Sequence, residues 1–306
     1  MSVLRSVLLS ASESRWLRER AVRYPFVRRA VSRFMPGEAA DDALAASRAL
    51  GVGTVLTRLG ENLVSASEAD GVAKHYLDVL DRVHEERLDV EISVKLTQLG
   101  FDMDVGRTDA HLARLAERSA QAGRTLWIDM EGSAYTEATI ACYERLRADH
   151  ENVGLCLQAY LGRTAEDLRR LLPGQPAIRL VKGAYAEPAA IAFTSRRDVD
   201  ASYLALALDV LAAAKAGGSV RIGLGTHDVG LIEQIADRAE AMGLPRTAFE
   251  VQMLYGIRTD QQRRLAAAGY AVRCLIAYGE AWYPWYMRRL AERPANVLFA
   301  LRQIVG

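Results

Sequence analysis

The sequence predicts an α/β protein built as a distorted (β/α)8 barrel preceded by N-terminal helices. Three observations lead there. Eight short runs rich in aliphatic and β-branched residues recur along the chain, and each is followed by a stretch with helical periodicity. The 306 residues leave, after the first fifty, about the 250 that one such barrel needs.

The first fifty residues read as helices: an arginine-rich one to about residue 34, a break at MPGE (35–38), then DDALAASRAL (41–50). We divide the chain accordingly into a helical segment, 1–50, and a barrel domain, 51–306. The strand-like runs are TVLTRL (54–59), VEISVKL (90–96), TLWIDM (125–130), VGLCLQAY (153–160), AIRLVKG (177–183), VRIGLGT (220–226), FEVQML (249–254) and YAVRCLIA (270–277). Helical patterns cover 68–87, 109–121, 136–148, 164–172, 201–216, 229–242 and 259–267. Asp109, Thr164 and Asp228 are predicted N-caps. Gly123, Gly217, Gly243 and Gly269 are predicted C-terminal stops. A doubly wound sheet is the competing architecture, but it needs a glycine-rich phosphate turn after its first strand. GLGTHDVG (223–230) comes nearest and has the wrong spacing.

Composition narrows the function. Half the residues are hydrophobic, so a large core can be buried. With 39 basic and 38 acidic residues the net charge is +1, which gives no footing for a nucleic-acid partner. The mixed charge run HEERLDVE (84–91) reads as a solvated helix end. Cys142, Cys156 and Cys274 are far apart and odd in number, so neither a disulfide framework nor a zinc spacing emerges. That fits a reducing cytoplasm. No run reaches transmembrane length, and peripheral membrane contact stays open. No P-loop and no histidine pair at metal-ligand spacing is present, so no metal is expected.

In a barrel, chemistry belongs to the C-terminal ends of the strands. Those ends carry Lys95, then Asp129 and Glu131, Gln158 and Tyr160, Arg179 and Lys182 running into Tyr185, Thr226 and His227, and Gln252. Lysine stands only at 74, 95, 182 and 215, so arginine supplies 35 of the 39 cations. A lysine at a strand end is therefore conspicuous. After the last strand, WYPWYMRRLAE (282–292) reads as a helix with an aromatic face and adjacent arginines, Arg288 and Arg289. Each polar residue could be structural taken singly, but so many at one barrel mouth call for a ligand. Lys95 with Arg288 and Arg289 suits a carboxylate or phosphate. Two strand-end lysines also leave open a Schiff-base lyase.

The ordered set EISVKLTQLG, WIDMEG, LQAYL, IRLVKGAY, THD, FEVQMLYGIR and WYPWYMRRLAERPAN resembles the monofunctional bacterial proline dehydrogenases, from about residue 30 to the C-terminus. The resemblance implies an FAD-dependent enzyme that oxidises L-proline to 1-pyrroline-5-carboxylate and passes electrons to a membrane quinone. It implies that Lys95, Arg288 and Arg289 hold the substrate carboxylate. Asp129 and Arg179 would be active-site residues, with Arg179 beside the flavin. Met130, Gln158, Lys182, Gly183, Ala184, Thr226 and His227 would contact FAD. Tyr185 and Tyr286 would line the substrate ring, and Glu292 would pair with a basic residue as the pocket closes. One departure stands out. Where the family carries Tyr-Val-Pro-Tyr, this chain has Leu275-Ile276-Ala277-Tyr278. Leu275 takes the place of a tyrosine that packs on the substrate ring, so the departure bears on substrate identity and leaves cofactor and reaction type untouched. Tyr278 and Tyr283 are the side chains that could refill that space.

Overall fold

Eight parallel strands, each paired with the next and β8 with β1, close a barrel. The computed structural model describes residues 31–60, 63 and 65–292, with side chains described as far as Met287. The strands are β1 (Gly53–Arg58), β2 (Val90–Val94), β3 (Leu126–Ile128), β4 (Val153–Gln158), β5 (Ala177–Val181), β6 (Arg221–Gly225), β7 (Glu250–Leu254) and β8 (Ala271–Tyr278). All eight fall on the predicted runs.

The helices are α1 (Ala40–Leu50), α2 (Ala66–Glu85), α3 (Val105–Gln121), α4 (Thr136–Asp149), α5 (Thr164–Leu171), α6 (Arg196–Lys215), α7 (Val229–Ala241), α8 (Thr259–Ala267) and α9 (Trp282–Glu292). On α2 the buried residues Ala69, Ala73, Tyr76, Leu80 and Val83 follow the three-to-four spacing of one helical face. That face packs on the outward side of the strands, where Ile92, Val94, Leu155, Leu157, Leu180 and Leu224 are buried in one shared core. Ala43 and Leu44 of α1 belong to the same core.

The cap predictions divide. Asp228 accepts from the backbone N–H of Leu231, and Gly123, Gly217, Gly243 and Gly269 all stop helices with positive φ. Asp109 is not a cap: α3 begins a turn earlier, capped by Asp104, and Asp109 lies inside the helix bonded to Arg145. Thr164 is the first helical residue rather than the cap, and its hydroxyl donates to the Gln158 carbonyl. Helix α6 starts five residues before the predicted 201, because Ser195 caps the charged turn that follows it.

The inward face is unusual for a barrel, in which branched aliphatics dominate. Arg221 of β6 bonds Glu91 of β2, and Arg179 of β5 bonds Ser93 of β2. These strands are not neighbours, so the bonds cross the interior. Glu91, far from ending a solvated helix, is buried within the barrel. Trp127 fills the middle, and the space it needs comes from Gly154 on β4, where a Cβ would stand 2.5 Å from the indole ring. Gly154→Ala should therefore force the ring to move and destabilise the fold by about 1–3 kcal/mol, the usual scale of overpacking. Urea unfolding measures this, and native stability in the variant would contradict the packing described.

Candidate active site

Arg179 stands at the centre of the C-terminal half of the barrel, 2% exposed. Its Nη1 donates to Asp129 Oδ1 (3.0 Å) and Ser93 Oγ (2.8 Å), and Ser93 in turn donates to Asp129 (2.7 Å). Its Nε donates to Gln252 Oε1 (2.6 Å). The guanidinium carbon lies 4.4 Å from the Trp127 ring centroid, a cation–π contact. Nη2 is buried and has no hydrogen-bond partner among the described residues. An N–H donor left so is costly unless something outside the chain accepts from it.

Below this layer lies an ion network. Glu91 accepts from Arg221 (2.6 Å) and from Trp127 Nε1 (2.7 Å), with Arg273 3.6 Å away. Glu250 pairs with Arg221 (3.1 Å) and Arg273 (3.0 Å) and accepts from Gln252 Nε2 (2.6 Å). Burial pushes the Glu91 carboxyl up, but Arg273 and Arg221 outweigh it and hold it below the ordinary carboxylate range. Charge at the base is thus balanced within the barrel.

Around the mouth, Lys182 is ion-paired with Asp200 and with Asp228 (2.9 Å). Gly183 has φ of +117°, and a Cβ there would stand 2.3 Å from the Tyr160 ring. Only glycine lets the backbone after β5 lie so close. Gln158 donates weakly to the Met130 and Glu131 carbonyls (3.4 and 3.3 Å), while its buried Oε1 has no partner among the described residues. Glu131 accepts from the Thr97 hydroxyl (2.6 Å), tying the loop after Lys95 to β3. Thr226 Oγ1 accepts from the Asp228 N–H (3.2 Å), and His227 Nε2 accepts from the Leu254 N–H (3.4 Å). Lys95, Ala184 and Tyr185 are half-buried at the same mouth.

Leu275 is half-buried, in register with Leu254 on β7 and Val55 on β1. Tyr278 lies on the opposite side of β8. Its hydroxyl meets His75 Nε2 of α2 at 2.8 Å, so it does not fill the space beside Leu275. Tyr283 and Tyr286 are buried with Val31, Phe34, Leu59, Ala277, Trp282 and Trp285 in a second apolar cluster. The Tyr286 hydroxyl has no partner among the described residues, and burial pushes its pKa up to about 12. Arg288 and Arg289 continue the backbone of α9, but their side chains and that of Glu292 lie outside the described residues.

The strand-end reading overlooked Ser93 and Trp127. Alternation carries a partial signal: Glu91, Ser93 and Lys95 share one face of a strand, as do Trp127 and Asp129, but alternation alone does not say which face is inward. Cys156 and Cys274 are buried, and burial pushes their thiols up to about 12, which makes them poor nucleophiles.

The residues present suit a planar group that carries both hydrogen-bond acceptors and a donor: among the described residues a buried guanidinium nitrogen and a buried amide oxygen are unanswered, and a glycine opens the backbone beside them. Fold and site define a (β/α)8-barrel enzyme. Residues 40–302 match the family model described as proline dehydrogenase. The chain is 35% identical to proline dehydrogenase 1 of Bacillus subtilis over 307 residues, covering 99% of each. It is 35% identical to a proline dehydrogenase of Deinococcus radiodurans, covering 88% of each. Among solved structures, proline utilization A from Bdellovibrio bacteriovorus superposes with a TM-score of 0.80 at 23% identity, covering 94% of this chain and 36% of that one. The chain belongs to the proline dehydrogenase family, a family of flavin-dependent oxidoreductases.

The Lys182–Asp228 pair yields a test of the electrostatics. Burial pushes the Asp228 carboxyl up, but hydrogen bonds and charge from Lys182 and Arg196 bring it to about 2, below its ordinary 3.8. A depressed carboxyl stabilises the fold in full above about pH 4 and loses that contribution as the pH falls towards 2. Asparagine keeps the helix cap and removes the charge. Asp228→Asn should thus cost about 1–2 kcal/mol at near-neutral pH and progressively less in acid, allowing for solvent screening. Unfolding curves that stay equally offset at every pH would contradict the assignment.

Proposed function

We propose that the protein is an FAD-dependent dehydrogenase that oxidises L-proline to 1-pyrroline-5-carboxylate and delivers the electrons to a quinone. The observation that carries the reading is the buried Arg179, held by four neighbours with one nitrogen left over, in a chain that matches proline dehydrogenases along its length. Met130, Gln158, Arg179, Lys182, Gly183, Ala184, Thr226 and His227 hold the FAD. When bound, the flavin supplies the acceptor for a hydride at its N5. Lys95, Arg288 and Arg289 bind the substrate carboxylate, guanidinium groups being suited to paired hydrogen bonds with it. That contact fixes the far end of the ring, so the carbon on the other side of the nitrogen is held where its hydride leaves. The substrate amine is neutral when this happens and loses its proton as the C=N bond forms. Asp129 and Ser93 keep Arg179 in place, and Arg179 stabilises negative charge developing beside it. Tyr185, Leu275 and Tyr286 line the ring, and Glu292 pairs with a basic residue as α9 closes. A quinone acceptor brings the protein to the inner face of a membrane by peripheral contact. Among the described residues no helix is long and apolar enough to cross one.

The ion-paired setting of Lys182 weighs against the lyase alternative, since its Nζ is already engaged by Asp200 and Asp228 and not turned to a carbonyl substrate. Purified protein should be yellow, release its flavin on heating, and bleach anaerobically with L-proline. Colourless protein from flavin-replete cells would overturn the reading.

A second substrate reading, the same chemistry on a modified proline, is favoured by the aliphatic corner of Leu275, Leu254 and Val55, which Tyr278 does not enter. It is read from the kcat/KM ratio of L-proline to trans-4-hydroxy-L-proline. Leu275→Tyr should shift that ratio towards L-proline by about 1–3 kcal/mol, the scale of one pocket contact. An unchanged ratio would remove Leu275 from the pocket and leave L-proline as the whole answer.

A further inference from the structure

We propose that Gln252 is the positioning residue that aims the Arg179 guanidinium into the mouth of the barrel. The inference rests on the reading that Arg179 faces the flavin. Both Asp129 and Ser93 hold the same nitrogen, Nη1, so by themselves they leave the guanidinium plane free to pivot about it. Gln252 holds Nε from the opposite side, at 2.6 Å. A guanidinium is planar and rigid, so fixing two of its nitrogens fixes the direction of the third. That third nitrogen is Nη2, which has no partner among the described residues.

Gln252 is itself held. Its Nε2 donates to Glu250, which only the amine end of the amide can do, so Oε1 is the end turned to Arg179. Glu250 is anchored by Arg221 and Arg273 of the base network. The amide occupies space opened by Gly223 on β6, where a Cβ would stand 2.7 Å from Nε2. Trp127 forms the floor on which the guanidinium rests. The residue is buried and its hydrogen bonds go to Arg179 and Glu250, so its effect falls on the aim of that side chain. The substrate carboxylate is handled by other residues, and its affinity should be spared.

Anaerobic stopped-flow reduction of the holoenzyme by L-proline tests this. Gln252→Met removes the acceptor with little change in volume. We expect flavin content and KM for L-proline to stay within about threefold and the limiting reduction rate to fall at least tenfold. Gln252→Glu keeps an acceptor on Nε and, by sharing one proton with Glu250 where the amide N–H now donates, should recover most of that rate. In Gln252→Met the misdirected cation should also shift the flavin's oxidised-to-reduced equilibrium tenfold towards the oxidised form, about 30 mV for two electrons. A native reduction rate in Gln252→Met overturns the proposal. So does a loss confined to flavin content or thermal stability while the remaining holoenzyme reacts at the native rate. If Gln252→Met fails to fold, Gln252→Asn, which draws the acceptor back by one methylene, decides: a native reduction rate and potential overturn the proposal. Native protein that holds no flavin, or whose flavin proline does not reduce, overturns the parent reading as well, which separates the two failures.

Discussion

Taking the Arg179 guanidinium out of water costs several kcal/mol before any compensation, and much of the barrel interior acts as that compensation. One carboxylate, Asp129, supplies the opposite charge; Ser93, Gln252 and the face of Trp127 supply the rest. Each of these makes a further demand. Trp127 and Gln252 need room, which Gly154 and Gly223 give them, and both need fixed partners, which Glu91 and Glu250 provide. Those two carboxylates, Glu91 buried and Glu250 half-buried, then require Arg221 and Arg273. The column runs from the base of the barrel to its mouth and ends in Arg179 Nη2, unanswered among the described residues.

The apolar share of stability lies elsewhere. The outward faces of the same strands, Ile92, Val94, Leu155, Leu180 and Leu224 among them, pack against the helices in one continuous core. A strand with successive side chains on opposite faces can serve both purposes at once. Stability is drawn from the helix–strand interface, and the interior is left free to carry charge. Buried ion networks are seldom stabilising relative to an apolar core, so their presence inside a barrel points to function rather than to fold maintenance.

Much of the architecture was legible because its signals are local. Strand runs, helix periodicity and the glycines after α3, α6, α7 and α8 depend only on neighbouring residues. The polar cluster at the barrel mouth was legible at the strand ends, where Lys95, Asp129, Arg179, Lys182 and His227 interrupt apolar runs. Its foundations were not. Glu91 sits in a run of charges that looks solvated, and only closure of the barrel brings it to Arg221, 130 residues away. Ser93 and Trp127 are inward by strand parity, but parity does not say which face is inside until both faces are compared. The choice of Asp104 over Asp109 as a cap turned on which aspartate precedes the first helical turn, and both satisfy the residue preference. Tyr278 shows the same limit from the other side: its place behind β8 is set by His75, over 200 residues earlier in the chain.

The central claim is that the leftover nitrogen of Arg179 exists to meet a bound flavin. A crystal structure of the flavin-loaded protein measures it directly. The account predicts Arg179 Nη2 within about 3 Å of an acceptor atom on the isoalloxazine ring, the ordinary reach of an N–H hydrogen bond, with Gln252, Ser93 and Asp129 where they stand now. A flavin seated away from Arg179, or an Nη2 that turns to a protein acceptor instead, would contradict it.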